Sequence, residues 1–229
     1  ECKRAPGVKL HGVNDTTPLR ERKRLATRRR IEDAATALVE KHGFDQVTVE
    51  DICRDAGISR RTFFNYMESK DEAILGTPPL ALNEARQAEF IGTPSDNLVR
   101  SALVHIAATH EEAEIEDIEA GIDAAHIATV RQRRHRIVSA EPSVALMSIN
   151  RFREQSTLMH GLVVKHLEQH PGDRRLPDHP LPVEAAMIAG LIRESVWMHM
   201  HRLTHCPDSD TTLPETGAIL TTLTKELTW

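Results

Sequence analysis

The stretch TVEDICRDAGISRRTFFNYM, residues 48–67, decides the fold of the N-terminal region. Thr48 and Ser59 are residue types that favour helix N-caps, and Ala56-Gly57-Ile58 makes a tight turn between the two short helices that they open. The apolar side chains of the stretch can lock the two helices together. The pattern therefore predicts a helix-turn-helix unit, in which the second helix is free to face outward.

The outward positions of the second helix carry side chains that form hydrogen bonds: Ser59, Arg60, Arg61, Thr62 and Asn65. Arginine suits a bidentate contact with guanine, asparagine suits adenine, and the methyl group of threonine suits that of thymine. The helix N-termini offer free N–H groups to phosphates, and Tyr66 can reach a phosphate oxygen. The alternative that this geometry leaves open is a helical corner with solvated polar residues.

Upstream of this unit, apolar residues recur with helical spacing from Ile31 to Val39, which predicts a helix from about Arg20 to His42. Gly43 is expected to end that helix as a C-cap. Downstream, Ser69 and Glu72 form a capping-box pattern that opens a fourth, longer helix toward Phe90. We expect a kink or a split in this helix near Pro78.

The remaining chain has helical patterns and no strand alternation, which predicts an all-α fold of about nine helices. Ser95 or Asp96 is expected to cap a helix that ends near His110, and the acidic stretch of residues 111–123 is expected to be a solvated face. Three segments are predicted: a flexible basic arm (1–19), a helix-turn-helix domain (20–68) and a helical body (69–229).

Composition and charge narrow the function classes. The chain has 229 residues, of which 40% are hydrophobic, and it has no apolar run near the ~18 residues of a membrane span. The three cysteines, Cys2, Cys53 and Cys206, make no disulfide framework. These features predict a soluble, cytoplasmic protein that does not bind a membrane.

The charge is uneven along the chain. Residues 1–76 carry 15 Lys and Arg against 13 Asp and Glu, whereas residues 77–229 carry 14 against 21. Ten of the basic residues lie within the first 30 positions. A basic end on an acidic chain is typical of a protein that binds nucleic acid through that end, although a solvated arm without a partner has the same composition.

Residues 25–75 resemble the DNA-binding domain of the TetR family of transcriptional repressors. The resemblance rests on four stretches in order: LATRRRIEDAA (25–35), GFDQVTVEDI (43–52), AGISRRTFFNYM (56–67) and SKDEAIL (69–75). It implies an all-α homodimer, in which three N-terminal helices bind double-stranded DNA at an inverted-repeat operator. The remaining helices would then bind an effector and form the dimer, for which the segments 183–206 and 213–227 are predicted.

The resemblance also assigns contact residues. It implies phosphate contacts at Arg28, Thr48, Tyr66 and Lys70, and groove contacts at Ser59, Arg60, Arg61, Thr62 and Asn65. Phe64 stands where many family members have tyrosine, so one phosphate-directed hydroxyl is missing there, and Tyr66 is a possible replacement. Met67 replaces a usual aromatic residue, which is a core substitution.

The body offers candidates for an effector pocket on the faces that we expect to point inward. These candidates are His105, His126, Met147, Phe152, Met159, Met187 and Trp197, although such residues also commonly serve as plain core. His201 and His205, four positions apart, could share a metal with Cys206, but packing in a dimer interface is favoured over a metal site. No metal and no cofactor are therefore predicted.

Two other functions fit the sequence less well. An enzyme is disfavoured, because the sequence has no phosphate-binding glycine loop, nucleophile elbow or His-Glu-x-x-His pattern. A constitutive architectural DNA binder needs only ~60–70 residues, so more than a hundred residues of helical body require another purpose. The sequence therefore predicts a homodimeric repressor that a small-molecule effector releases from its operator, while an activator stays open.

Overall fold

The described part of the chain is entirely helical. The computed structural model describes residues 19–205 and 211–227, with only the backbone for residues 201–205, and these ranges contain no strand. Residues 1–18 of the predicted basic arm and residues 206–210 lie outside them. The α-helices are α1 (Leu19–His42), α2 (Val49–Asp55), α3 (Arg60–Tyr66), α4 (Lys70–Leu75), α5 (Glu84–Gly92), α6 (Leu98–Glu119), α7 (Ala124–Ala140), α8 (Pro142–Gln169), α9 (Leu181–His205) and α10 (Leu213–Glu226). The all-α prediction is confirmed, with ten α-helices in these ranges instead of about nine helices, and with two short 3-10 helices, Phe44–Gln46 and Pro171–Asp173.

The prediction of one long fourth helix toward Phe90 is wrong, whereas the split that we expected near Pro78 is confirmed. Helix α4 stops at Leu75, because Gly76 adopts φ 69° and ψ −151°, a conformation that cannot continue a helix. Pro78 and Pro79 follow, and α5 begins only after Asn83, whose side chain accepts a hydrogen bond from the Arg86 N–H at 2.9 Å.

Two expectations about α6 are also wrong. Its N-cap is Asn97, not Ser95 or Asp96, and Asn97 accepts from the Arg100 N–H at 3.0 Å. The helix continues past His110 to Glu119, because no glycine or proline interrupts it before Gly121. The acidic stretch that we expected to be solvated therefore lies mostly on α6, where Asp117 is completely buried.

The fold has two apolar cores. The N-terminal core joins α1 to α4 around Ile52 and Phe63, which are both fully buried. Ile137 of α7 and Val144 of α8 complete this core, so the body packs directly on it. The second core joins α5, α6, α8, α9 and α10, around Phe90, Leu103 and Ile192. Below, α1–α4 are called the N-terminal domain and α5–α10 the body, so α4, which the predicted boundary at residue 68 left in the body, now belongs to the N-terminal domain.

Candidate nucleic-acid interface

Helices α2 and α3 are fixed at their N-termini by side chains that the sequence predicted as caps. Thr48 accepts from the Asp51 N–H at 3.2 Å, while Asp51 accepts from the Thr48 N–H at 3.0 Å, which makes a reciprocal capping box. The Thr48 hydroxyl also donates to the Asp51 carboxylate at 2.5 Å, and this bond, followed by those from the Thr48 N–H and from Arg54, lowers the pKa of Asp51 to about 2. At α3, the Ser59 hydroxyl accepts from the Thr62 N–H at 3.0 Å.

The turn between the two helices sets their angle. Gly57 has φ 63°, a value that favours glycine, and the Ile58 N–H donates to the Cys53 carbonyl at 2.9 Å. Phe63 of α3 is fully buried against α2 and α1. One face of α3 is thereby committed to the core and the opposite face to solvent.

The solvent face of α3 carries two side chains without partners. Arg61 and Asn65 are exposed, and neither side chain forms an ion pair or a hydrogen bond with a residue of the described ranges. Their neighbour Phe64 is an apolar side chain that is 47% exposed. Both polar side chains are therefore free to meet base edges without first breaking a bond.

The other predicted groove contacts already have partners. Arg60 donates to Glu50 at 2.6 Å, and its guanidinium lies 5.6 Å from the centre of the Phe64 ring. The Ser59 and Thr62 hydroxyls bond to each other at 2.8 Å. A contact with DNA would compete with these partners, which costs part of what the new contact gains.

Arg28, a predicted phosphate contact, joins α1 to α3 and α4. It donates to the Tyr66 carbonyl at 2.9 Å and to Glu72 at 2.8 Å, and it lies 3.3 Å from Glu32. The same Glu72 accepts from the Glu68 N–H at 2.7 Å, one residue before the Ser69 N–H that the predicted capping box would use. Arg28 therefore positions the end of α3, and Tyr66 itself is half-buried.

Lys70, a second predicted phosphate contact, holds the loop that precedes α2. Its ammonium group donates to the carbonyls of Phe44 and Val47, both at 2.9 Å, and lies 3.7 Å from the centre of the Phe44 ring. An ammonium group has three hydrogens, so two are used inside the protein. Since Val47 precedes Thr48, Lys70 places the N-terminus of α2.

The comparison with known sequences decides the class of this domain. Residues 31–75 match the profile of a family described as bacterial regulatory proteins, tetR family. The N-terminal domain is a TetR family DNA-binding domain, called the TetR domain below. The resemblance predicted for residues 25–75 is confirmed over this range, and the exposed face of α3 is part of the matched TetR domain.

A relative from Mycobacterium tuberculosis carries the name mycofactocin biosynthesis transcriptional regulator. It is 50% identical to this chain over 50 residues, which are 22% of this chain and 25% of the relative. The match thus spans a quarter of the relative's length.

A buried ionic cluster, which the sequence reasoning missed, joins the TetR domain to the body. Glu32 of α1 is 1% exposed and lies 2.5 Å from Arg29 and 2.9 Å from Arg134 of α7. Arg29 also pairs with the buried Asp117 of α6. The arginines outweigh the cost of burial, so the pKa of Glu32 lies below its ordinary value. The available signal was complementary charge: acidic residues at 32, 33 and 40 against basic residues at 133, 134 and 136.

The candidates for an effector pocket do not come together in one place. Phe152 and Trp197 meet, with ring centres 5.7 Å apart, and Met159 is buried in the body core. His105 packs edge-on against Phe90 in the same core, and burial lowers its pKa.

The other three candidates lie elsewhere. Met147 packs against the core of the TetR domain, and His126 is half-buried, 4.0 Å from Asp33. Met187 is 57% exposed, so the inward orientation expected for it is wrong. The position is on the side of α9 that faces away from the body core.

None of the seven candidates lines either of two concave regions in the described part of the chain. One is an open groove of about 680 Å³ between α8 and α9, and the other is a cavity of about 200 Å³ near the end of α4. Within the part of the chain that the structure describes, no group of three or more possible ligands could hold a metal ion. The side chains of His201 and His205, and Cys206, lie outside that part. None of the described helices is long and apolar enough to span a membrane.

Proposed function

We propose that the chain is a homodimeric transcriptional repressor, which binds an inverted repeat in double-stranded DNA and leaves it when a small-molecule effector binds the body. The observation that carries the proposal is the free outer face of α3 within a TetR domain. As parts of this proposal we retain a cytoplasmic location, the absence of enzymatic activity and the absence of a cofactor.

In this proposal α3 enters the major groove, where Arg61 and Asn65 read base edges. Ser59, Arg60 and Thr62 join them after exchanging their internal partners. Phosphates would be met at Arg28, Thr48, Tyr66 and Lys70. Since Arg28 and Lys70 already bond inside the domain, their larger contribution would be to hold α3 and α2 in position.

The proposed dimer face is the outer surface of α9 together with α8. The groove between these helices is lined by small residues of α9, Ala186, Ala189 and Gly190, which allow close approach of another helix. Glu154 and Arg193 lie on its two sides, and in a two-fold dimer each can pair with the opposite charge of the partner. The predicted share of residues 213–227 stays a prediction.

The dimer is tested by Gly190→Leu. A Cβ atom added at Gly190 meets nothing within 4 Å in the single chain, and leucine favours a helix more than glycine does. We therefore expect a folded monomer in analytical ultracentrifugation, with Gly92→Leu, another open position, as the dimeric control. A dimer of unchanged affinity in Gly190→Leu would place the interface elsewhere.

The DNA function is tested by selecting bound duplexes from a random pool, with and without a library of metabolites. We expect an enriched inverted repeat that one compound abolishes. In binding assays on the selected duplex, Arg61→Ala should lose about 1–3 kcal/mol of discrimination at one base pair. Lys70→Ala should weaken binding to all sequences and lower the salt slope by about one. An equal loss on specific and random DNA for Arg61→Ala, as for Lys70→Ala, would refute the assignment of Arg61 to a base contact.

A further inference from the structure

A small cavity lies where the TetR domain meets the body. It has a volume of about 200 Å³, below the roughly 300–1,000 Å³ of sites for drug-sized ligands. The turn after α4 forms one wall, α7 and α8 form two others, and Met200 of α9 also lines it. Five of the ten lining residues are polar or charged, namely Thr77, Arg134, His135, Ser148 and Arg151, but most of the exposed lining surface is apolar and no carboxylate contributes to it. The residues that matter here are Leu75, Pro78, Arg134, Val138, Arg151 and Met200.

The two arginines of the cavity differ in how their charge is balanced. Arg134 lies 2.9 Å from Glu32 and donates to the Ile74 carbonyl at 2.9 Å. Arg151 is half-buried and donates to the Gly76 carbonyl at 3.1 Å, but it forms no ion pair with any residue in 19–205 or 211–227. Removing a cation from water without a counter-ion is costly, so an anion bound beside Arg151 would be stabilised.

We propose that this cavity binds a small organic acid, whose carboxylate pairs with Arg151 and whose short apolar body packs between Leu75, Val138 and Met200. The apolar lining favours such an acid over an inorganic anion, which would leave that surface without a partner. The further step, that this acid is the effector, rests on the function proposed above.

The contacts around Gly76 connect the cavity to the DNA-binding helices. The bond from Arg151 to the Gly76 carbonyl holds the end of α4. The carboxylate of the acid competes with that carbonyl for the Arg151 guanidinium. The first residue of α4 is Lys70, which fixes the loop before α2. A form of the protein that binds the acid with Arg151 turned away from Gly76 therefore places α2 and α3 less firmly, and the acid shifts the population toward it.

The site is tested on the full chain without DNA, by calorimetric titration with straight-chain carboxylates from acetate to octanoate. Hexanamide and inorganic phosphate are titrated at the same ionic strength. We expect saturable binding of at least one carboxylate, with one molecule per chain, and affinity at least about tenfold weaker for the neutral amide and for phosphate. Arg151→Gln should lose at least about tenfold in affinity. Arg100→Gln should retain it, because Arg100 is an exposed arginine of α6 that likewise forms no ion pair with the described residues.

Equal binding of acid and amide, preference for phosphate, or no binding of any carboxylate at millimolar concentration would each overturn the site. The comparison of carboxylates with hexanamide and phosphate uses the native chain, so it tests the site even if Arg151→Gln fails to fold. The effector role is measured separately, by adding the bound acid to the complex with the selected duplex. Unchanged DNA affinity would overturn that role and leave the site standing, whereas failure of the duplex selection without acid would refute the proposed function alone.

Discussion

Replacing Glu32 by glutamine removes the negative charge at the centre of the ionic cluster. The carboxylate is 1% exposed and faces Arg28, Arg29 and Arg134 at 3.3, 2.5 and 2.9 Å. Glutamine keeps the size but leaves Arg134 with no carboxylate within the described residues. Breaking a buried ion pair in this way costs about 3–5 kcal/mol, which is a large share of the roughly 5–15 kcal/mol that stabilises a typical protein.

The free energy of unfolding is measured by urea titration at one fixed protein concentration, because a dimer gains stability with concentration. For a chain of this length the loss corresponds to a fall in Tm of roughly 6–20 °C. Glu40→Gln is the matched control on the same helix. Its carboxylate also pairs with arginines, Arg133 and Arg136, but it is 36% exposed, so we expect a loss below about 1 kcal/mol.

The pH dependence gives a second test. Burial opposes the charged form of Glu32, but Arg134 and Arg29 outweigh it and hold its pKa below the ordinary value. A group with a depressed folded pKa stabilises the fold above its unfolded pKa, and this contribution is lost as the pH falls through the folded pKa. The gap between wild type and Glu32→Gln should therefore narrow on acidification below about pH 4.3. A gap under about 1 kcal/mol at pH 7, or one that stays constant down to acid pH, would refute the reasoning.

Three further outcomes are expected. Phe63→Ala should cost about 3–5 kcal/mol in urea unfolding, because the ring is fully buried; a loss under about 1 kcal/mol would mean that α3 is not anchored as described. Gly76→Ala should cost about 1–3 kcal/mol, because φ 69° with ψ −151° is accessible almost only to glycine, whereas Gly161→Ala in the open middle of α8 should be neutral or stabilising. Glu184→Gln should speed tryptic cleavage after Arg174 and Arg175, because the buried carboxylate accepts from both residues; Glu194→Gln, which pairs only with its neighbour, should not, and equal rates would contradict the assigned role.

Local signals in the sequence were enough for the elements of the TetR domain. Thr48, Ser59 and Ser69 all accept the helix-capping hydrogen bonds that the pattern predicted, and Gly43 has the positive φ of a helix end. Such features depend on residues within four positions of one another. Where the signal was ambiguous the prediction failed, as at Asn97, which competed with Ser95 and Asp96 as a cap.

The partners of charged side chains could not be predicted in the same way. Arg29 and Asp117 are 88 positions apart, and they meet only because α1 packs against both α6 and α7. A helix cap can be predicted from residues a few positions apart, but no local pattern indicates a contact between residues so distant in the sequence. The same limit applies to Lys70, because no local pattern indicated that its ammonium group bonds to two carbonyls and lies beside the Phe44 ring.

The N-terminal core is not closed by its own helices. Ile137 and Val144 are almost completely buried in it, although they belong to α7 and α8. Chimeric regulators that graft one DNA-binding segment onto another body would therefore expose apolar surface in this chain, unless the acceptor supplies matching side chains at both positions. Evolutionary exchange of the segment faces the same requirement, so substitutions at Ile137 and Val144 should accompany changes in α1–α4 across related proteins.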